Sequence, residues 1–241
     1  MRNVAQASYE SESQSRLLRT LAEELKLPLM QIARAAELAR ISGDVKEVAQ
    51  AEVLADTALR LVDSYVLSTQ TMLGQQALEL EPVSLNAVLY DTAQYLHKLA
   101  KLYDCKIELV VSGKHGLVMA HPQALQSALT SLGYSFINVI NSQEDGQKAQ
   151  IILSASKNKQ GVAAGIQTNN QEVGSRLLQQ AKDLYGFARQ PMSDLTHGSG
   201  AGILVANSLF DAMATQLRVV RNRTNSGLAA TLLPSQQLAL L

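Results

Sequence analysis

The first third of the chain has the hydrophobic pattern of two long helices joined by a short turn. From about residue 11 to 73 the sequence is rich in Leu, Ala, Glu, Gln and Arg, with a single proline, Pro28, and a single glycine, Gly43. This composition is typical of α-helix. Gly43 followed by Asp44 predicts the end of one helix and an acidic first position for the next. The pattern therefore predicts an antiparallel helical hairpin.

Both predicted helices carry small and apolar residues at alternating steps of three and four, which is the spacing of packed helix pairs. On the second helix these are Val48, Ala51, Ala55, Ala58, Val62, Tyr65, Thr69 and Met72. On the first they are Leu18, Leu21, Leu25, Pro28, Ile32, Ala35 and Ala39. A lone hairpin would leave much of this surface in water, so we expect two hairpins to form a four-helix bundle in a homodimer. The alternative is packing against the second domain of the same chain.

After Gly74 the pattern alternates between helices and strands. In chain order it predicts a helix ending near Tyr103, strands at 106–111 and 117–120, a helix from Pro122 to about Ile140, strands at 149–156 and 161–167, helices at 173–185 and 198–213, and a hairpin of 217–221 and 228–233 around Asn225-Ser226-Gly227. The fold class is therefore α+β, with helices on one face of a mixed sheet. We expect residues 1–76 to form the hairpin and residues 77–241 the second domain.

Composition excludes several classes of protein. The 241 residues are 46% hydrophobic, enough for a sizeable core, and 21 basic residues balance 21 acidic ones. No global charge therefore favours nucleic acid or an anionic membrane. Cys105 is the only cysteine, which excludes an intramolecular disulfide and a cysteine-rich zinc site and favours a reducing compartment. No apolar run approaches the roughly 20 residues that span a bilayer, so we expect a cytoplasmic protein.

Several motifs together resemble the core of sensor histidine kinases. Residues 21–29, LAEELKLPL, resemble the phosphoacceptor box, and residues 81–85, EPVSL, resemble the entry into the second domain. Residues 119–125, MAHPQAL, resemble the segment before the nucleotide helix, and the end of the chain resembles the last strands up to Pro234. The resemblance covers about residues 16–234. It implies a dimerising hairpin followed by the ATP-binding sandwich shared with gyrase and the Hsp90 chaperones.

The acceptor box departs from the family pattern where the chemistry occurs. Glu23 stands where the resemblance places histidine, and a carboxylate is a poor nucleophile that holds no stable phosphoramidate. Glu24 keeps the adjacent acid and Pro28 the proline, whereas Leu27 replaces the Thr or Asn that positions water for phosphatase action. Kinase and phosphatase residues are thus both missing. Glu23 either mimics a phosphorylated state or is an ordinary solvated helix residue.

The nucleotide-binding positions implied by the resemblance are also altered. Ser131 and Ser135 replace the asparagines that hold Mg²⁺, and Gln167 lies near the missing adenine-binding Asp. Residues Gly198, Gly200 and Gly202 resemble the glycine box that approaches phosphates at a helix N-terminus, although they could serve only turns and close packing. No cofactor is therefore expected, and ATP with Mg²⁺ would bind weakly. The four histidines have no metal-binding spacing, so no metal is expected.

These observations favour a degenerate, non-catalytic relative of histidine kinases that acts as a dimeric interaction module. The resemblance implies docking of a response-regulator receiver domain, or of a histidine kinase, on the hairpin surface that includes Glu23, Leu27, Met30 and Gln31. Two alternatives remain. The chain could be an atypical phosphotransfer enzyme, or a nucleotide sensor that binds ATP weakly.

Overall fold

The computed structural model describes residues 2–113, 115–141, 150–169, 200–222 and 224–235, and for residues 2–20 and 23 it describes the backbone only. The hairpin consists of α1, Arg2–Ser42, and α2, Val45–Met72. Gly43 ends α1 with a φ of 68° and donates its N–H to the Ala39 carbonyl at 2.8 Å. The Asp44 side chain then accepts from the Lys46 N–H at 2.9 Å and caps α2. The predicted break is confirmed.

Helix α1 begins well before the predicted residue 11. No proline or glycine precedes Pro28 in the sequence, so no residue interrupts the helix on its N-terminal side. The helix also continues through Pro28, whose side chain is buried. Interior prolines are normally unfavourable in helices, so burial rather than local helix propensity accounts for the helix at this position.

The rest of the chain forms a helix layer on a mixed sheet. Its helices are α3, Leu85–Lys101, α4, Pro122–Asn141, and α5, Ala201–Ala212. Its strands are β1, Glu81–Val83, β2, Lys106–Ser112, β3, Val118–Ala120, β4, Gln150–Lys157, β5, Val162–Thr168, β6, Arg218–Arg221, and β7, Ser226–Leu232. Five strands lie in the order β2-β4-β5-β7-β6, in which only β2 and β4 are parallel. The α+β class with a mixed sheet is confirmed.

Two details differ from the sequence-based expectation. Strand β1 was not predicted, and it pairs antiparallel with β3 in a separate small sheet. The prediction that Asn225-Ser226-Gly227 forms the last turn is wrong, because Ser226 and Gly227 pair within β7. The turn lies earlier, where the Asn222 side chain accepts from the backbone N–H groups of Thr224 at 3.0 Å and Asn225 at 2.6 Å. The helix expected at 173–185 lies outside the described residues.

The hairpin packs against its own second domain. Helix α2 contacts α4 and α5, and Leu54, Leu61 and Leu67 of α2 belong to the same hydrophobic core as the helices above the sheet. The hairpin therefore packs against the second domain of the same chain, which was the alternative to packing in a dimer. The predicted boundary at residues 76 and 77 falls in the segment between α2 and β1, and it stays a prediction because both parts share this core.

A stripe of α2 nevertheless remains exposed. Its large apolar members are 40 to 77% exposed and comprise Val45, Val48, Leu59, Val62 and Val66, together with the C-cap residue Leu73. Glu52, Ala55 and Thr69 complete a heptad repeat along this stripe, which we call the outer α2 face. The predicted seam is divided between two faces, because Val48 and Val62 are on the outer one whereas Tyr65 is 5% exposed.

Candidate functional site

The two serines at the positions that the histidine-kinase resemblance assigns to magnesium ligands lie enclosed between helices α4 and α5. Ser131 and Ser135 are both 0% exposed. Their hydroxyl oxygens have no hydrogen-bond partner among the described residues. A Cβ at Gly202 would clash with the Ser135 hydroxyl and the Ser131 backbone carbonyl. Glycine at position 202 is therefore required for the close approach of the two helices.

The first turn of α5 carries the described part of the glycine box. Gly200 is the N-cap residue and provides no side-chain hydrogen bond to the helix. The N–H groups at this end therefore need other partners, and together with the helix dipole they favour a negative group. Gly200 and Gly202 are both buried, whereas Gly198 lies outside the described residues.

The acid retained in the acceptor box points inward at this end of α5. Glu24 is 3% exposed, and its Oε2 accepts a hydrogen bond from the Tyr65 hydroxyl at 2.9 Å. Burial raises the pKa of Glu24 from 4.5 to about 7, although the Tyr65 hydroxyl and the Gly202 N–H both oppose this shift. Oε1 has no hydrogen-bond partner of ordinary geometry among the described residues. Burial also raises the pKa of Tyr65, and the neighbouring Glu24 adds to that rise.

The proposed partner-binding residues of α1 have different surroundings. Leu27 is 39% exposed and Met30 is 60% exposed, so both reach solvent. Gln31 is half-buried, and its Oε1 accepts from the Tyr103 hydroxyl at 2.8 Å. Gln31 is therefore already engaged by the second domain. The backbone of Glu23 lies in α1, and its side chain is outside the description.

Beside Gln31, a cleft of about 270 Å³ lies between the hairpin and the end of α3. Its lining residues are Gln31, Arg34, Ala35, Leu38, Glu47, Gln50, Leu102 and Tyr103. The cleft is remote in sequence from the glycine box, and its lining combines one cation, one carboxylate and two amides. It has no arrangement of groups that selects a particular ligand.

Gln167 does not join the serines and glycines. Strand residues alternate between faces, and Ile166 and Thr168, both 0% exposed, point into the core. Gln167 therefore lies on the other face, where its amide donates to the Ser154 hydroxyl at 3.0 Å. Thr168 is the inward residue at the end of this strand. The period-two alternation of β5 was the sequence signal that could have identified it.

The histidines serve no shared site in the described residues. His121 Nδ1 accepts from the Ala124 N–H at 3.2 Å and so caps α4, while His97 is exposed. His197 is outside the described residues. Within the described ranges, no group of three His, Cys, Asp or Glu residues could hold a metal ion. The helices described there also include none that is long and apolar enough to cross a membrane.

The structure thus brings Glu24, Ser131, Ser135 and Gly202 to one junction of α1, α4 and α5, with Tyr65 behind them. Tyr65 and the pair of Ser68 and Ser208 were not identified from the sequence. The hydroxyl oxygens of Ser68 in α2 and Ser208 in α5 lie 2.5 Å apart, so they join the hairpin to the second domain. Because the two serines are far apart in sequence, no local pattern predicts their contact.

Comparison with known proteins shows which solved structures have a similar fold. Neither a protein-family model nor a curated protein sequence matches the chain. Among solved structures, the histidine kinase AdeS of Acinetobacter baumannii aligns with a TM-score of 0.52 and 13% identity, over 89% of this chain and 98% of AdeS. Full-length ShkA in complex with AMPPNP aligns with a TM-score of 0.51 and 15% identity, over 95% of this chain and 46% of ShkA. The chain therefore has the fold of a histidine-kinase core, as the motifs predicted.

Proposed function

We propose that this chain is a degenerate, histidine-kinase-like signalling protein that acts as a dimeric interaction module and not as a kinase. The observation that carries the proposal is the burial of Ser131 and Ser135, which are 0% exposed and packed against Gly202. Magnesium requires oxygen ligands that face an accessible site. Two short hydroxyls enclosed between helices do not supply them, and no histidine stands at the acceptor position.

The proposed docking surface is the exposed side of α1 around the proline. Leu27 and Met30, 39 and 60% exposed, lie one helical turn apart on the same side of α1 and give it an apolar surface. Apolar patches of this kind on a soluble surface are typical of protein interaction sites. By resemblance to the hairpins of histidine kinases, the proposed partner is a response-regulator receiver domain.

The proposed dimer interface is the outer α2 face. Its exposed apolar residues follow a heptad repeat, and this spacing fits a second helix of the same kind. The face lies on the hairpin rather than on the sheet, so two copies could pair as a four-helix bundle. A homodimer would also remove most of this apolar surface from water.

Receiver binding tests the proposal through Met30→Asp and a matched control, Ile41→Asp. Ile41 is 70% exposed and lies about three helical turns beyond Met30, on the same side of α1. We expect Met30→Asp to weaken binding of receiver domains, measured by biolayer interferometry against a panel, at least tenfold. Ile41→Asp should leave the affinity within twofold. Equal losses in both variants, or binding of no receiver by the wild-type protein, would refute the docking proposal.

One observation favours the nucleotide-sensor alternative. The start of α5 has no side-chain cap and carries Gly200 and Gly202 of the glycine box, so its backbone N–H groups are suited to a phosphate. The similar ShkA structure holds AMPPNP. Calorimetric titration with ATP, with and without Mg²⁺, separates the two functions. Saturable, magnesium-dependent binding would favour the sensor over the proposed module.

A further inference from the structure

The two edges of the sheet formed by the described strands differ in how they are protected from pairing with another strand. One edge is β6, which has four residues and an arginine at each end, Arg218 and Arg221. Short length and charged side chains are common means by which proteins prevent a sheet edge from pairing with another chain. The other edge is β2, which has seven residues, no proline and no bulge in its register with β4. Of the two edges, β2 is therefore the one suited to accept a further strand.

Strand β2 pairs with another strand on one side only, within the part of the chain that the structure describes. Its seven residues lie parallel to residues 150–156 of β4. Successive residues of a strand direct their backbone N–H and C=O groups to opposite sides, so the free side of β2 presents a row of hydrogen-bonding groups. A further strand placed there would pair with these groups.

The side chains of β2 decide which strand fits beside it. Ile107, Leu109 and Val111 lie on the inner face of the sheet, where they are partly buried against the hydrophobic core. A further strand with apolar residues on this face would cover the part of them that is still in water. The outer face carries Glu108, whose carboxylate accepts from the side-chain amide of the neighbouring strand β4, and Val110, which is 36% exposed. The incoming strand must therefore be apolar on its inner face and place no second acid opposite Glu108.

A second copy of β2 meets both requirements in one antiparallel register. If Leu109 of one copy lies opposite Leu109 of the other, every residue of the strand has a partner. Ile107 then lies opposite Val111 on the inner face, and Glu108 lies opposite Val110 on the outer face. Moving the two-fold axis to Glu108 would place two carboxylates opposite each other, which is destabilising. Moving it to Val110 would leave the first two residues of the strand unpaired.

We propose that β2 pairs antiparallel with β2 of a second copy of this chain, with the two-fold axis at Leu109, so that two sheets join into one. The pairing is isologous, since each copy contributes the same strand. The proposal goes beyond the proposed function, because this surface belongs to the second domain and joins hairpin dimers into larger assemblies. A single strand pair buries less surface than a four-helix bundle, so we expect it to form at higher protein concentration than the hairpin dimer.

Charges of opposite sign at position 110 test the pairing and its register. The background is Leu59→Asp with Val62→Asp, which removes the proposed hairpin interface from the measurement. In this background we expect sedimentation velocity to show a dimer that forms at high protein concentration. Val110→Glu should raise its dissociation constant at least about tenfold, because the new carboxylate lies opposite Glu108 of the second copy. Val110→Lys places an opposite charge there and should lower the constant at least about threefold.

Val219→Glu is the matched control, because Val219 is also 36% exposed and lies on the opposite edge of the sheet, in β6. It should leave the dissociation constant within about twofold. If the background variant stays monomeric at the highest concentration, the sheet-edge proposal is overturned and the proposed hairpin dimer is unaffected. The sheet-edge proposal is also overturned if the two charges at position 110 act in the same direction or not at all. A control that weakens association as much as Val110→Glu has the same consequence.

Disulfide formation between two different variants provides the second test. Glu108→Cys and Val110→Cys are prepared separately, each with Cys105→Ala in the same background, and are then mixed with oxidised glutathione. In the proposed register the two new thiols lie opposite each other, whereas each one lies diagonally from its own counterpart in the second copy. We expect the mixture to form cross-linked dimers at least about fivefold faster than either variant alone. Equal rates in the mixture and in the single variants would overturn the proposed pairing.

Discussion

The two faces of helix α1 differ in the kind of residue that each one buries or exposes. On α1, Glu24 is 3% exposed and Met30 is 60% exposed, so the charged residue is buried and the apolar one is in water. An ordinary amphipathic helix has the opposite arrangement. The inner face packs against the chain's own second domain, and the outer face is the proposed partner-binding surface. The predictions below test the contrast between inner and outer faces on both helices of the hairpin.

The largest effect on stability is expected from truncating a buried side chain on the inner face of α2. Leu61 is 1% exposed and Leu59, two positions away, is 66% exposed. Leu61→Ala should lower the free energy of unfolding by about 2 to 5 kcal/mol, because it leaves a cavity in the shared core. In the monomer, at a protein concentration below the dimer dissociation constant, Leu59→Ala should change it by less than about 0.5 kcal/mol. Urea denaturation followed by circular dichroism measures both, and similar losses would mean that the two faces are not distinct.

The second effect comes from the buried carboxyl and depends on pH. Folding raises the pKa of Glu24 from 4.5 to about 7, so the folded state favours the protonated form. Its stabilising contribution is fully present below pH 4.5, declines as the pH rises to about 7, and stays constant above that value.

Glu24→Gln removes this titration. Between pH 5 and pH 8 the wild-type protein should lose roughly 2 kcal/mol of unfolding free energy that the variant does not lose. Glu37→Gln, at an exposed acid of α1, should follow the wild type across the same range. Parallel pH profiles of Glu24→Gln and the wild type in urea denaturation would show that Glu24 is not buried in solution.

The third effect concerns the outer α2 face. Leu59→Asp with Val62→Asp places two charges in the proposed dimer interface and should raise the dimer dissociation constant at least tenfold, or about 1.4 kcal/mol. Tyr90→Asp changes a residue of α3 that is 55% exposed and should leave the constant unaltered. Sedimentation velocity over a concentration series measures the constants. If the wild-type protein stays monomeric at high concentration, the proposed homodimer is refuted.

The smallest effect is expected at the contact of Ser68 with Ser208. A double-mutant cycle with Ser68→Ala and Ser208→Ala should give a coupling energy of about 1 kcal/mol, since one hydrogen bond joins them. The control cycle pairs Ser208→Ala with Ser64→Ala, because Ser64 donates to the Arg60 carbonyl within its own helix at 2.7 Å. Its coupling should be close to zero. Equal couplings in the two cycles would argue against a specific contact between α2 and α5.

The features of the fold that depend on neighbouring residues alone were predictable from the sequence. Gly43 and Asp44 define the turn of the hairpin through a positive φ and a side-chain cap, and both properties belong to the residues themselves. The last turn was misplaced because the Asn222 side chain accepts from the backbone N–H groups of Thr224 and Asn225, which ends the turn before Ser226.

The candidate site was only partly predictable. The resemblance to the histidine-kinase core indicated Ser131, Ser135 and Gly202, and the structure brings all three together. The inward direction of Glu24 was not predictable, because it depends on a partner, Tyr65, that lies on the other helix of the hairpin. A charged residue on a helix is normally solvated, and only the tertiary contacts reverse that expectation.

The most direct measurement is phosphate transfer from labelled ATP. The purified protein is incubated with [γ-³²P]ATP and Mg²⁺, alone and with a receiver domain that binds it, and label on each chain is quantified after alkaline and after acid treatment. An interaction module with Glu23 at the acceptor position and enclosed Ser131 and Ser135 should carry no label and pass none to the receiver. Stoichiometric label on the chain, or label on the receiver that requires the chain, would show that it is a phosphotransfer enzyme.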